Sequence, residues 1–232
     1  MTLNGMIFDV DGTLVDTNPA HVEAWRRAFQ RLGFAVPDER IVPEIGKGGD
    51  KLVPSVLGRE AEERQGEELR KLQKEEFLEI ARRQHFRVFP GATEIFQALR
   101  ERGIRTALAT SSDEKHLAAT TASAGLDLRR LPDVVVTKSP DEPSKPSPDL
   151  VVDALEALEL AAMDCAMVGD TVYDGEACRG AGVAFLGVLS GPASEEDLYQ
   201  AGARAVWRNV GHLLSELDRA IAIAALVPTA GS

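Results

Sequence analysis

The chain has 232 residues, of which 44% are hydrophobic and 27% are charged, and its formal net charge at pH 7 is −11. These proportions are typical of a globular protein that can bury a core without disulfides or a structural metal. With only two cysteines a disulfide framework is excluded, and the negative charge disfavours binding to nucleic acid.

Short apolar runs that lead into a polar or glycine turn recur along most of the chain. Fully apolar strands that alternate with helices are typical of a parallel sheet covered by helices on both faces. We therefore predict an α/β fold with strands at 5–10, 104–109, 134–136, 166–168, 184–188 and 205–207.

A helical segment interrupts this alternation at 17–87, where no convincing strand is found. Its first part places apolar residues at helical spacing until Gly33, and a charge-dense helical pattern covers 59–83. The glycines of 43–58 predict a mobile loop between the two helical halves. We predict two domains, a core formed by 1–16 and 88–232 and a helical cap formed by 17–87.

Two aspartates, Asp9 and Asp11, follow the first predicted strand. Side chains two residues apart at a strand end point to the same side, and the carboxyl ends of parallel strands form the ligand crevice of such a sheet. Neighbouring carboxylates repel each other unless a cation accompanies them, and Mg²⁺ prefers oxygen ligands. Gly12 would let the backbone turn close to a ligand. The alternative is that both carboxylates are merely solvated.

Polar residues also follow later strands. Thr110 and Ser111 end the second predicted strand, where they could hold phosphate oxygens, and Ser111, Ser112 or Asp113 could cap the next helix. Lys145 lies between prolines just before a helix, a rigid position that suits a fixed electrostatic role. Asp170 ends the fourth predicted strand and is a candidate metal ligand, with Asp174 beside it.

The order and spacing of these four segments resemble those of the haloacid dehalogenase superfamily of aspartate-based phosphatases. The resemblance is to members with a small helical cap, the subgroup of phosphoglycolate phosphatase and beta-phosphoglucomutase, and it covers essentially the whole chain. It implies a Rossmann-like parallel sheet core with an inserted all-helical cap. It also implies a magnesium-dependent phosphatase that hydrolyses a small phosphorylated metabolite through an aspartyl-phosphate intermediate.

The resemblance implies roles for the carboxylates. Asp9 would be the nucleophile, and Asp11 would protonate the leaving oxygen and then activate the hydrolytic water. Mg²⁺ would be held by Asp9, by the backbone carbonyl of Asp11 and by Asp170.

The same resemblance assigns the phosphoryl-binding residues. Thr110, Ser111 and Lys145 would hold the transferring group, and Asp174 would help to fix Lys145 or the waters of the metal. Lys138 is the less suitable candidate for the lysine position.

The main alternative is a phosphomutase that resembles beta-phosphoglucomutase. The segment 21–25 is similar to the first cap helix of that enzyme, although Trp25 is equally well explained as a core residue. Against the mutase, Gly169 precedes Asp170 where the mutase pattern has a second carboxylate. The dehalogenase reaction itself is disfavoured because those members lack the carboxylate that Asp11 supplies.

Substrate choice is expected to depend on the cap, because the core motifs contact only the phosphoryl group. The glycines and lysines of 44–51 suit a closing lid, or else a flexible surface turn. We expect His21, Lys47 and Lys51 to contact the substrate. Sugar phosphates and phosphoglycolate both remain open.

The sequence also bears on location and assembly. The first residues lack the basic segment of a signal peptide, and no apolar stretch approaches the ~20 residues of a membrane span, so we expect a cytoplasmic protein. Nothing in the sequence requires more than a monomer.

Overall fold

The apolar runs form the strands of one sheet in the computed structural model, which describes residues 2–139 and 143–226. The strands are β1 (Gly5–Phe8), β2 (Arg105–Thr110), β3 (Val134–Thr137), β4 (Cys165–Gly169), β5 (Ala184–Val188) and β6 (Ala203–Trp207). They pair in parallel in the order β3-β2-β1-β4-β5-β6. All six predicted strands are confirmed, with their ends shifted by a few residues.

Helices connect the strands and fill the segment after β1. They are α1 (Asn18–Arg31), α2 (Asp38–Ile41), α3 (Gly49–Leu57), α4 (Arg59–Arg83), α5 (Glu94–Arg100), α6 (Glu114–Ala124), α7 (Asp149–Leu158), α8 (Val172–Ala181), α9 (Glu195–Gln200), α10 (Val210–Ser215) and α11 (Leu217–Ala224). Within 2–139 and 143–226, none of these helices combines the length and apolarity that a membrane crossing requires.

Side chains of the central strands alternate between two apolar layers, as the pleat of a strand requires. Phe8, Leu108 and Val168 lie in the layer that also contains apolar residues of α5, α6, α10 and α11. Ile7 and Met167 lie in the opposite layer with residues of α7, α8 and α9. The sheet is therefore covered on both faces, which confirms the predicted α/β class.

Helices α1 to α4 lie between Val15 and Val88, which form an isolated antiparallel bridge. Beside this bridge the Asp16 N–H donates to the carbonyl of Arg87 at 2.8 Å, so the chain leaves and re-enters the core region at one place. Apolar residues of α1, α3 and α4 form a cluster apart from the two sheet layers. This cluster supports our division into a core and a cap at 17–87, which we retain as a proposal.

The prediction of a mobile loop at 43–58 is wrong for more than half of that segment, because the segment contains α3. Leu52, Val53 and Val56 are buried on one face of this helix against the cap cluster. Residues three and four apart share a face of a helix, so this apolar spacing stabilises the helix despite the flanking glycines. Those glycines mark its ends, since Gly58 follows the helix with a φ of 90°.

Candidate active site

Three neighbouring strands bring the main predicted site residues together. β2, β1 and β4 are adjacent in the sheet, and Thr110, Asp9 and Asp170 lie at their carboxyl ends. The side chains of all three residues are buried. A hydrogen bond of 3.0 Å from the Asp9 N–H to the Val168 carbonyl fixes the backbone of Asp9 beside β4.

Lys145 reaches this edge of the sheet from the segment before α7. Its Nζ lies 2.6 Å from Asp9 Oδ1 and 2.7 Å from Asp174 Oδ1, and the side chain is 2% exposed. Burial alone would lower the pKa of this ammonium, but the charges of Asp174 and then Asp9 raise it above the ordinary lysine value. Lys145 is therefore a fixed cation, and the more exposed Lys138 pairs instead with Asp50 at 3.4 Å.

Asp9, Asp170 and Asp174 form a cluster of buried carboxylates, each offering one oxygen within 4.8 Å of the others. Burial raises the pKa of Asp9 to about 7, with further contributions from the charges of Asp174 and Asp11 that Lys145 opposes. Burial, followed by the charges of Asp174 and Asp9, also raises the pKa of Asp170. Without a further cation, the site therefore disfavours the ionised forms of Asp9 and Asp170.

The surroundings of Asp170 suit a small, oxygen-ligated cation. Its carboxylate accepts hydrogen bonds of 3.0 Å from the Thr13 hydroxyl and 3.0 Å from the Asn18 amide, which orient it. Gly12 and Gly191 approach so closely that a Cβ on either would overlap this carboxylate. A buried, oxygen-only set of oriented carboxylates fits Mg²⁺.

Asp11 faces away from this cluster. Its Oδ1 accepts a 2.6 Å hydrogen bond from the Thr17 hydroxyl and lies 3.4 Å from His21 Nε2, and its Oδ2 accepts a 3.0 Å hydrogen bond from Ser112. Although burial acts to raise its pKa, the hydrogen bond and charge of His21, with Thr17 and Ser112, bring the pKa below the usual range. Among the described carboxylates, it is therefore Asp174, and not Asp11, that joins Asp9 and Asp170 in the acidic cluster. The side chain of Asp11 can serve a different role.

The predicted phosphoryl-binding residues line the same end of the sheet. Thr110 Oγ1 accepts a 3.0 Å hydrogen bond from the Ser112 N–H and lies 3.4 Å from Asp11 Oδ2. Within the described ranges, the buried Oγ of Ser111 has no hydrogen-bond partner. The helix cap that the sequence left open between these serines and Asp113 is provided by Asp113, whose carboxylate accepts from two N–H groups of α6.

A cavity of about 420 Å³ opens between this edge of the sheet and the helices α1, α3 and α4. His21 and Lys47, predicted to contact the substrate, both line it. Lys47 is already paired with Glu44, and its Nζ lies 4.9 Å from the ring centroid of Tyr173. Lys51, also predicted, does not line the cavity; its side chain is 51% exposed at the start of α3.

Sequence reasoning missed the residues that α4 contributes, which are Arg70, Gln73 and Lys74. The charge-dense pattern of 59–83, with a thin apolar stripe at Leu69, Leu72 and Ile80, predicts the helix but not its place beside the site. One signal was available, because Gln73 lies one turn from both Leu69 and Phe77 on the apolar stripe and is buried with them. A polar side chain on the buried face of a helix needs a polar partner or a ligand.

Comparisons with known proteins identify the family and relatives of this chain. A family model described as haloacid dehalogenase-like hydrolase matches residues 3–182. The chain is 31% identical to a phosphoglycolate phosphatase of Nitrosospira multiformis, over 89% of this chain and 92% of that protein. It is also 31% identical to hexitol phosphatase A of Escherichia coli, over 84% and 81% of the two chains. The crystal structure of a hydrolase from Pseudomonas syringae superposes with a TM-score of 0.85 at 28% identity, over 94% and 98% of the two chains.

Proposed function

The chain belongs to the haloacid dehalogenase-like hydrolases and is a phosphatase, and we propose that it hydrolyses a small phosphate monoester with Mg²⁺ through an aspartyl-phosphate intermediate. The observation that carries this proposal is the pairing of a buried, lysine-bound Asp9 with a neighbouring Asp11 whose carboxylate is held by hydrogen bonds from Thr17 and Ser112. We assign the first carboxylate to attack on phosphorus and the second to proton transfer.

Asp9 is suited to attack phosphorus because it is fixed and only partly neutralised. Lys145 occupies its Oδ1 at 2.6 Å, which leaves the second carboxylate oxygen for the phosphorus atom. The new bond joins that oxygen to phosphorus while the bond from phosphorus to the leaving oxygen breaks. Lys145 and the N–H groups after Thr110 would stabilise the negative charge of the transferring group.

Asp11 would act as the general acid and then as the general base. The leaving alkoxide needs a proton when its bond to phosphorus breaks, and the attacking water must lose one when the aspartyl phosphate is hydrolysed. Its pKa is below the usual range in the free protein, so it begins as a carboxylate. A phosphoryl dianion beside it would raise that pKa, because a like charge disfavours the ionised form, so Asp11 would take up from solvent the proton that it donates to the leaving oxygen.

The acidic cluster fits the metal. Asp9, Asp170 and the backbone carbonyl of Asp11 would hold Mg²⁺, which when bound supplies positive charge against the carboxylates and the phosphoryl oxygens. Thr13 and Asn18 would keep Asp170 in its ligating orientation, since each donates a hydrogen bond to it. Asp174 would hold Lys145, because its other oxygen is already engaged by Thr171 at 2.6 Å.

The phosphomutase alternative is not favoured by any contact in the described part of the chain. A Cβ on Gly169 would lie 2.6 Å from the Cβ of Asp174, so a second carboxylate at this position would displace Asp174 from Lys145. The cytoplasmic location and the monomeric state stay predictions from the sequence.

The proposal is tested by phosphate release from a panel of phosphate monoesters, with Mg²⁺ and with EDTA. We expect release with Mg²⁺, little release in EDTA, and a loss of ~10⁴-fold or more in Asp9→Asn. Asp218→Asn is the matched control, because it removes the same charge from a side chain that is 83% exposed. Equal activity of Asp9→Asn and the control would refute the nucleophile, and equal activity in EDTA would refute the metal.

A further inference from the structure

The cavity is lined by five cationic side chains, and each of them is already in an ion pair. The pairs are Lys47 with Glu44, Arg70 with Glu62, Lys74 with Asp113, Lys138 with Asp50, and Lys145 with Asp9. Lys145 belongs to the phosphoryl end of the cavity. The other four cations line the rest of the cavity, and each of them already has a carboxylate partner before a second anion binds.

The pair of Arg70 and Glu62 depends on an unusual feature of α4. Arg70 Nη1 donates to both carboxylate oxygens of Glu62, at 2.7 and 2.9 Å, although the residues are eight positions apart in one helix. Such a separation corresponds to a rise of ~12 Å, about twice that of an ordinary pair on a helix. The carboxylate lies over Gly66, where a Cβ would overlap it.

This pair borders the cap end of the cavity. The side chain of Arg70 packs at the start of α3, where a Cβ on Gly49 would lie 2.8 Å from Arg70 Cγ and 3.0 Å from the Trp25 ring. Arg70 and the indole of Trp25 line the cavity together, with the amide of Gln73 on the next turn of α4. The wall therefore combines an apolar face with neutralised hydrogen-bonding groups.

We propose that Glu62 determines the substrate class: by neutralising Arg70 it makes the cavity selective for esters with an uncharged, hydroxylated leaving group. This inference rests on the proposed phosphatase function. The remaining N–H groups of Arg70 and the amide of Gln73 can bind hydroxyls, and Trp25 can cover the carbon face of a sugar or polyol. A carboxylate or second phosphate would have to displace Glu62 or lie beside it, at the cost of like-charge repulsion.

The test compares esters that differ only by a carboxylate in place of a hydroxymethyl group. These are glycerol 3-phosphate against 3-phosphoglycerate, and 2-hydroxyethyl phosphate against 2-phosphoglycolate. In the wild-type protein we expect kcat/KM to be ~10-fold or more higher for the neutral member of each pair. In Glu62→Gln this ratio should fall by ~10-fold, because Arg70 becomes free to bind the second anion.

Two further variants distinguish the effect of the Glu62 carboxylate from that of losing a surface charge. Glu68→Gln removes the same charge from an exposed position on α4 and should leave the ratio unchanged. Gly66→Ala should lower the ratio as Glu62→Gln does, because its Cβ would overlap the Glu62 carboxylate and displace it from Arg70. Activity on the neutral esters confirms that each variant is folded.

A wild-type preference for the anionic esters would overturn the proposal, and so would equal ratios in Glu62→Gln and Glu68→Gln. If none of the esters were hydrolysed, the phosphatase proposal would fail separately. The Kd values of the same esters for Asp9→Asn, measured by calorimetry, would then decide the selectivity without turnover.

Discussion

Replacing Lys145 with methionine tests whether the phosphoryl end of the cavity depends on an internal cation. The ammonium lies 2.6 Å from Asp9 and 2.7 Å from Asp174, with the lysine side chain only 2% exposed. Methionine keeps much of the length and none of the charge. Three buried carboxylates would then lie within 4.8 Å of one another without their lysine.

The expected loss of stability is large. Removing one partner of a buried ion pair costs ~3–5 kcal/mol, because the other charge stays buried. In a domain of this size, each kcal/mol corresponds to ~2–4 °C in Tm, so the Tm should fall by roughly 6–20 °C at pH 8. Activity should also fall by ~10²-fold or more, since we propose that the ammonium stabilises the transferring group.

The loss should depend on pH in a defined direction. Burial already raises the pKa of Asp9 to about 7 with Lys145 present, and without that cation the pKa rises further. A carboxyl group whose pKa is higher in the folded than in the unfolded protein stabilises the folded state. That contribution is complete at a pH below the unfolded-state pKa of ~4, and it is lost as the pH rises through the folded-state pKa. The difference in Tm between the wild type and Lys145→Met should therefore be largest at pH 8 and should decrease towards pH 5.

The assay is thermal unfolding followed by circular dichroism, in EDTA, at pH 5 and pH 8. Lys71→Met is the control, because it removes the same charge from an exposed position on α4. Adding Mg²⁺ should restore part of the lost stability by mass action. A Tm for Lys145→Met equal to that of the control at pH 8 would refute the reasoning, and so would a difference in Tm that increases as the pH falls.

Two further predictions concern groups next to the site and within the core. Gly191→Ala should raise the Mg²⁺ concentration for half-maximal activity by ~10-fold or more, because its Cβ would overlap the Asp170 carboxylate; a metal titration that matches the wild type would contradict this. Cys165 and Cys178 should not react with Ellman's reagent in the native protein at pH 8, although both should react in denaturant. Both thiols are buried, and burial followed by the charge of Asp164 raises the pKa of Cys165 to about 12; a native thiol that reacts quickly would show local opening.

The core of the site was predictable because it depends on one general rule of parallel sheets. Apolar runs located the strands, and polar residues at their carboxyl ends were then expected to meet. Asp9, Thr110 and Asp170 do lie at the ends of three adjacent strands. Lys145 needed the family resemblance, since nothing in its local sequence shows that it would contact Asp9.

The cap was predicted less well because its contacts depend on packing between distant segments. The glycines of 43–58 predict a loop where α3 lies, because this helix is stabilised by apolar contacts with other helices of the cap. Gln73 lies 3.5 Å from His21 across 52 positions of sequence, and Lys74 pairs with Asp113 across 39. No local pattern specifies such pairs, so the face of α4 that lines the cavity became visible only in the fold.

These two parts of the cavity explain how a chain with a net charge of −11 can be selective for a phosphate ester. At the sheet, buried carboxylates outnumber the lysine that contacts them, and we propose that a metal ion supplies the positive charge that a phosphoryl dianion requires there. Around the rest of the cavity, each lining lysine or arginine already pairs with a carboxylate, so these charges are balanced before any ligand binds. The attraction for anions is thus confined to the phosphoryl end, and discrimination among esters falls to the neutral wall that Glu62 and Arg70 border.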